Sequence, residues 1–173
     1  MAMTRFSLED AKRAWAQAYE GLDEAEIGRR ALGFRTIVRG IAARGSVSPA
    51  EFAHELGLEE STTRELFRGL VTAGMEVDDA GNITAAALTT RPTPHLLRMN
   101  GRTLYAWCAL DTLFIPGLVG EKMEVESRCP VSDTVIRLSV SPHSVLEHSP
   151  EGAVLSVFLP GASGASIGLA SPT

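Results

Sequence analysis

Only two cysteines, Cys108 and Cys129, occur in the 173 residues. That is too few for a disulfide framework, so in a reducing compartment both are free thiols, serving either as small core residues or as chemistry. Long hydrophobic runs are also missing. The longest apolar stretches, such as Leu113 to Val119, contain Pro116 and Gly117 and fall far short of the roughly 18 to 20 residues that span a bilayer. Basic residues do not dominate: 16 Lys+Arg against 21 Asp+Glu leave a net charge of -5, so no overall field draws nucleic acid or an acidic membrane. The N-terminus, MAMTRFSLEDAKRAW, has neither an apolar signal core nor a small-residue cleavage site, which makes a cytoplasmic location the expectation. G-x-G-x-x-G, Walker, G-x-S-x-G and H-E-x-x-H sequences are all absent. What is present is 45% hydrophobic and 21% charged residues, the balance of a chain that buries a core as one domain or two small units.

The pattern predicts an α+β protein: an N-terminal helical bundle with a winged-helix-like module, then a mainly antiparallel sheet with a short helix carrying Cys-x-x-Asp. Leu8, Ala11, Trp15, Ala18 and Tyr19 recur at helical spacing behind Ser7. A second helix is expected from about Asp23 to Arg39, with Ile27, Ala31, Phe34, Ile37, Val38 and Ile41 inward and Gly40 and Gly45 near its exit. Ser48-Pro49 opens a short helix ending at Gly57, and Glu59 to Thr62 opens another running to about Gly74. Met75 to Thr84 then reads as a hairpin around Asp78-Asp79-Ala80-Gly81-Asn82. The second helix of that pair sets Arg64 and Arg68 against Glu59, Glu60 and Glu65, so a packed scaffold is favoured over a DNA reader. TTRPTP, from Thr89 to Pro94, marks a boundary, which divides the chain into 1–88, 89–160 and a disordered tail, 161–173. Between boundary and tail, Leu96 to Met99 forms a strand before the turn Asn100-Gly101, and an apolar helix follows Trp107 and breaks at Pro116 and Gly117. Val125, Val131, Val135 to Val140 and Val154 to Leu159 are β-rich.

Cys108 lies where an aromatic-rich extended segment turns into that helix. A thiol at a helix N-terminus has its thiolate stabilised and its pKa lowered, making it a nucleophile or a soft-metal ligand. Asp111 follows three residues on, the spacing that brings a carboxyl beside the sulfur on one helical face, where the two can pass a proton. The blander alternative, a core cysteine and a first-turn aspartate, uses the same spacing. Tyr105 and Trp107 are expected as pocket or core aromatics. His54, His95, His143 and His148 lack ligand-like partners at i+3 or i+4 and read as solvated or turn histidines.

The string GRTLYAWCALDTLFIPGLVG, followed by SRCP and VIRLSVSP and preceded by DDAGNI at Asp78 to Ile83, resembles the organomercurial (alkylmercury) lyase family over roughly Gly45 to Pro160. The resemblance implies protonolytic cleavage of R-Hg-X to R-H and Hg(II): a cysteine thiolate, matched by Cys108, attacks mercury, and an aspartate, matched by Asp111, delivers the proton. It implies no bound cofactor, exogenous thiols as co-reactants, a small organomercurial as partner and hand-off of Hg(II) to a mercuric reductase. The family's second catalytic cysteine lies beyond the strand matched by Ala153 to Pro160, where this chain reads GASGASIGLASPT without a thiol, as though shortened. Cys129 matches a fold-supporting position and is the remaining candidate second ligand. The competing expectations are an impaired homologue that binds thiophilic metals or organometals, and a winged-helix regulator.

Overall fold

The computed structural model describes residues 21–155. The expected first helix behind Ser7 and the tail 161–173 lie outside them. Helix α1, Glu24–Arg44, begins where the Asp23 side chain accepts the Glu26 N–H and ends at left-handed Gly45. It runs one turn past the expected exit because Gly40 is not a terminator. Gly40 is a buried interior residue where any Cβ would collide with Val47 Cγ2. The inward stripe is also shorter than expected: Ile37, Val38 and Ile41 are fully buried, whereas Ala31 is exposed.

Helix α2, Pro49–Leu56, is set by a reciprocal capping box between Ser48 and Glu51 and stopped by left-handed Gly57. Helix α3, Glu60–Thr72, follows and lies against α1 and α2. Strands β1, Glu76–Val77, and β2, Ile83–Ala86, pair antiparallel. Asp78 holds their turn by accepting the backbone N–H groups of Ala80 and Asn82 and the Asn82 amide. Asp78 is thus the turn former its sequence predicts.

Beyond Ala87, whose φ is +59°, come β3, Leu88–Thr89, β4, His95–Met99, and β5, Arg102–Ala106. Asn100 and Gly101 both have positive φ and close a two-residue hairpin between β4 and β5. Helix α4, Asp111–Val119, leads to β6, Met123–Arg128, β7, Val135–Val140, and β8, Val145–Ser149. The strands form one eight-stranded sheet in the order β1-β2-β3-β5-β4-β6-β7-β8, antiparallel at every pairing. An N-terminal helical region followed by a large antiparallel sheet is the architecture expected.

Three local expectations fail. Pro116 and Gly117 do not break α4, which continues to Val119. Proline there removes one backbone hydrogen bond, and burial of Ile115 and Pro116 outweighs that loss. Val131 is in a turn and 93% exposed, not in a strand. Of the expected strand Val154 to Leu159, Val154 and Leu155 have no regular structure, and the remainder lies outside the described residues. The edge is instead β8, whose sequence VLEHS carries no strong strand signal.

Burial alternates along the strands: Leu97 and Met99 on β4, Leu104 and Ala106 on β5, and Met123, Val125 and Ser127 on β6 face inward. Ile37 and Ile41 of α1, Phe52 of α2 and Ile115 of α4 join them in a single core. Helix α4 therefore covers the same sheet face as α1, against which it packs.

Candidate active site

Cys108 is not on a helix. The chain leaves β5 at Ala106, bends through Trp107 and Cys108, turns at Ala109 and Leu110, and enters α4 only at Asp111. This corrects the expectation of a helix carrying both residues. Asp111 reaches back instead: its Oδ2 accepts the Cys108 backbone N–H at 2.8 Å. Thr112, fully buried, ties the same turn by donating its hydroxyl to Ala109 O at 2.7 Å. The Trp107 N–H donates to Ala87 O at 2.9 Å, so the bend is held to the strand entry on one side and to α4 on the other.

The electrostatics reverse a second expectation. Cys108 is open to solvent, yet burial of its sulfur raises the thiol pKa above the ordinary value, and the Asp111 carboxylate raises it further. Backbone N–H groups of Asp111 and Leu110 act in the opposite direction, favouring the thiolate, but are outweighed. Asp111 is itself pushed up by burial, against hydrogen bonds from the Cys108 side chain and backbone that favour its charged form. The thiol and the carboxyl thus each hold a proton more tightly than usual.

Cys129 is half-buried, at the start of the β6–β7 turn. Its N–H donates to Thr134 O and its carbonyl accepts the Asp133 N–H. Its pKa is lowered, first by the Ser132 hydroxyl and then by the N–H groups of Ser132 and Val131. The structure does not bring it to Cys108. Ala106, His95 and Ser127 form one row across β5, β4 and β6, and the cysteines lie two residues past the outer members of that row. The two outer strands are separated by two strand spacings, roughly 10 Å, so Cys108 and Cys129 leave the same end of the sheet on opposite sides of β4.

His54, His143 and His148 are exposed, as expected. His95 departs from the solvated-or-turn reading. It is half-buried on β4, its Nδ1 is 3.0 Å from Ser127 Oγ, and burial lowers its pKa. Its strand-entry position behind Pro94, with the row partners on other strands, is not visible in a linear spacing. Tyr105 and Trp107 are half-buried. Among the described residues, no three His, Cys, Asp or Glu side chains gather as a metal cluster, and no helix is long and apolar enough to cross a membrane.

A family model for alkylmercury lyase (MerB) matches residues 88–168, which include the bend and α4. The alkylmercury lyase of Bacillus cereus is 35% identical over 127 residues, covering 73% of this chain and 57% of that protein. That of Staphylococcus epidermidis is 32% identical over 145 residues, 84% of this chain and 66% of the other. The chain belongs to the alkylmercury lyase family. The Pseudomonas putida alkylmercury lyase, 46% identical over 90 residues, is covered over 42% of its length, so this chain spans about half the length of such relatives. Among solved structures, the mercury-bound form of MerB2 superposes with a TM-score of 0.63 at 22% identity, over 81% of this chain and 67% of that one. At that identity the likeness is one of fold, the fold of the alkylmercury lyases.

Proposed function

We propose that this chain cleaves the carbon-mercury bond of organomercurials R-Hg-X by protonolysis, with Cys108 as the mercury-binding thiol and Asp111 as the proton carrier. The observation that carries this reading is the Asp111 carboxyl folded back onto Cys108, 2.8 Å from its backbone N–H, with both groups' pKa values raised. A soft thiolate suits soft Hg(II). As Cys108 sulfur bonds to mercury, X departs as its anion and the thiol proton passes to the Asp111 carboxylate. Asp111 then protonates the carbon, the C–Hg electron pair becomes the C–H bond, and R-H leaves Hg(II) on Cys108. Two exogenous thiols remove it, giving in net R-Hg-SR' + R'SH → R-H + Hg(SR')2 with Cys108 restored as the thiol. A mercuric reductase in the cytoplasm is the receiver we assign for that product. The winged-helix-like unit of α2, α3 and the β1–β2 hairpin is assigned a packing role, supported by the Arg64–Glu60 ion pair on the face of α3 that a DNA reader would keep basic.

The second reading, a slow or impaired homologue that binds organometals, is favoured by the position of Cys129 two strands from Cys108. Incubation with phenylmercury and a thiol, reading benzene by gas chromatography and the protein adduct by mass, separates the two. Benzene above the thiol-only rate, lost in Cys108→Ser, supports the lyase. A stoichiometric phenylmercury adduct on Cys108 without benzene supports the binder.

A further inference from the structure

The thiol and the carboxyl of the proposed reaction are joined by a turn of two residues, Ala109 and Leu110, and the closure of that turn decides whether they stay within reach. Its upstream end is fixed to the sheet. The Trp107 N–H donates to Ala87 O at 2.9 Å, and Ala87 is buried with a φ of +59°, a conformation that a non-glycine residue keeps only where its surroundings hold it. The downstream end has no ordinary cap. Leu110 precedes α4 and offers no side-chain oxygen to the free N–H groups of the first turn.

Thr112 supplies the tie. It is 1% exposed, and its hydroxyl donates to Ala109 O at 2.7 Å. In a regular α-helix the Leu113 N–H takes that carbonyl. Here it goes to Leu110 O at 3.0 Å, the tighter i to i−3 spacing, and Ala109 O receives the hydroxyl. Two ties of equal span therefore run side by side across the turn: Cys108 N–H to Asp111 Oδ2 at 2.8 Å, and one residue further on at each end, Ala109 O to the Thr112 hydroxyl. They differ in what protonation does to them. A neutral carboxyl is a poorer acceptor than a carboxylate, so the first weakens when Asp111 takes up a proton. The second contains no titrating group and persists.

We propose that Thr112 is a positioning residue for the carbon-mercury cleavage: its buried hydroxyl keeps the Cys108–Asp111 turn closed while the carboxyl is protonated, so that the proton stays beside the mercury-bearing sulfur until the carbon takes it. The inference rests on the function proposed above and adds no bond-making step to it. Fully buried, Thr112 acts through Asp111 and not on mercury.

The test compares two substitutions in the full chain. Thr112→Val keeps the shape and removes the hydroxyl, whereas Thr112→Ser keeps the hydroxyl and drops the methyl. With phenylmercury and a thiol, Thr112→Val is expected to lower kcat for benzene release by at least about tenfold with KM within about twofold, because the thiol still takes mercury while the proton is misplaced. Thr112→Ser is expected to stay within about threefold of the unmodified chain. A second readout needs no turnover. The pH profile of Cys108 labelling by iodoacetamide is expected to shift in Thr112→Val toward that of Asp111→Asn, to stay in Thr112→Ser, and to move no further when Thr112→Val is added to Asp111→Asn. A valine variant that turns over and labels like the unmodified chain overturns the inference. So does a serine variant as impaired as the valine one, which makes Thr112 a packing group, and so does a further shift in the double variant, which separates Thr112 from the carboxyl. If the valine chain does not fold, Thr112→Ala is the hydroxyl-free variant read against the same outcomes. Failure of the unmodified chain to release benzene is a different result: it overturns the lyase reading, and the labelling profiles still decide whether Thr112 places the carboxyl.

Discussion

Two thiols leave the same end of one sheet, two strands apart, into opposite surroundings. Cys108 is crowded by protein and faced by a carboxylate, so its proton is held. Cys129 lies in a turn where the Ser132 hydroxyl and the backbone N–H groups of Ser132 and Val131 favour its thiolate, so its proton is released more readily. If thiolate content alone selected a mercury site, Cys129 would be the better candidate. What distinguishes Cys108 is the neighbouring group able to take and return a proton, which binding does not need and protonolysis does. The proposed protonolysis would use this pairing of a reluctant thiol with a reluctant carboxyl, one proton changing hands between them.

The sharpest way to break this comparison is to remove each sulfur in turn. Cys108→Ser is expected to reduce benzene release from phenylmercury to the rate of the thiol buffer alone, whereas Cys129→Ser retains it within about twofold, a change of less than about 0.5 kcal/mol. A comparable loss in both would make Cys129 part of the chemistry. Asp111→Asn comes next: it should still form the phenylmercury adduct on Cys108 but release benzene about 100- to 10,000-fold more slowly, the usual contribution of a positioned acid. Unchanged turnover in that variant would mean the proton comes from elsewhere.

A pH series sharpens the same contrast. Iodoacetamide labelling followed by peptide mapping should modify Cys129 at lower pH than an ordinary thiol and Cys108 at higher pH, because alkylation follows the thiolate. In Asp111→Asn the Cys108 profile should move down in pH and the Cys129 profile should stay. The same carboxyl has a stability signature. Its folded-state pKa is raised, so the native state binds the proton more tightly than the unfolded chain. That contribution is present below the ordinary carboxyl value and is lost as pH rises through the raised one. Asp111→Asn should flatten this decline in chemical denaturation measured across the weakly acidic range.

Legibility in the sequence followed how local each cause is. The α2 caps, the Asp78 turn and the Asn100-Gly101 hairpin are decided by a few adjacent residues, and they form as read. Gly40 misleads because its reason is Val47, seven residues away across a packed interface. Pro116 misleads because burial against the sheet overrides a backbone penalty. Strand β8 was illegible because an exposed edge strand needs no apolar alternation. At the site, the Cys-x-x-Asp spacing is realised as a turn in which the Asp111 carboxyl accepts the Cys108 N–H. The direction of the Cys108 shift depends on burial and on which way the Asp111 carboxyl turns, and neither is encoded in the spacing.

The smallest expected effect tests whether the two thiols are mechanically separate. Arg39 on α1 donates Nε–H to Leu118 O at 2.9 Å, placing a cation at the C-terminus of α4, the helix that begins with Asp111. Cys129 depends instead on its own turn, through Thr134 O and the Asp133 N–H. Arg39→Ala removes one exposed hydrogen bond and a favourable charge at the helix dipole, a loss of about 0.5 kcal/mol. Urea denaturation should register that loss. Fraying from the far end of a nine-residue helix should also loosen the Asp111 carboxyl from Cys108, so the Cys108 labelling profile should shift toward that of Asp111→Asn. The Cys129 profile, set by its own turn at the end of β6, should not move. Equal shifts at both cysteines would show that the sheet end responds as one unit, and the contrast between its two thiols would then belong to the strands and not to α4.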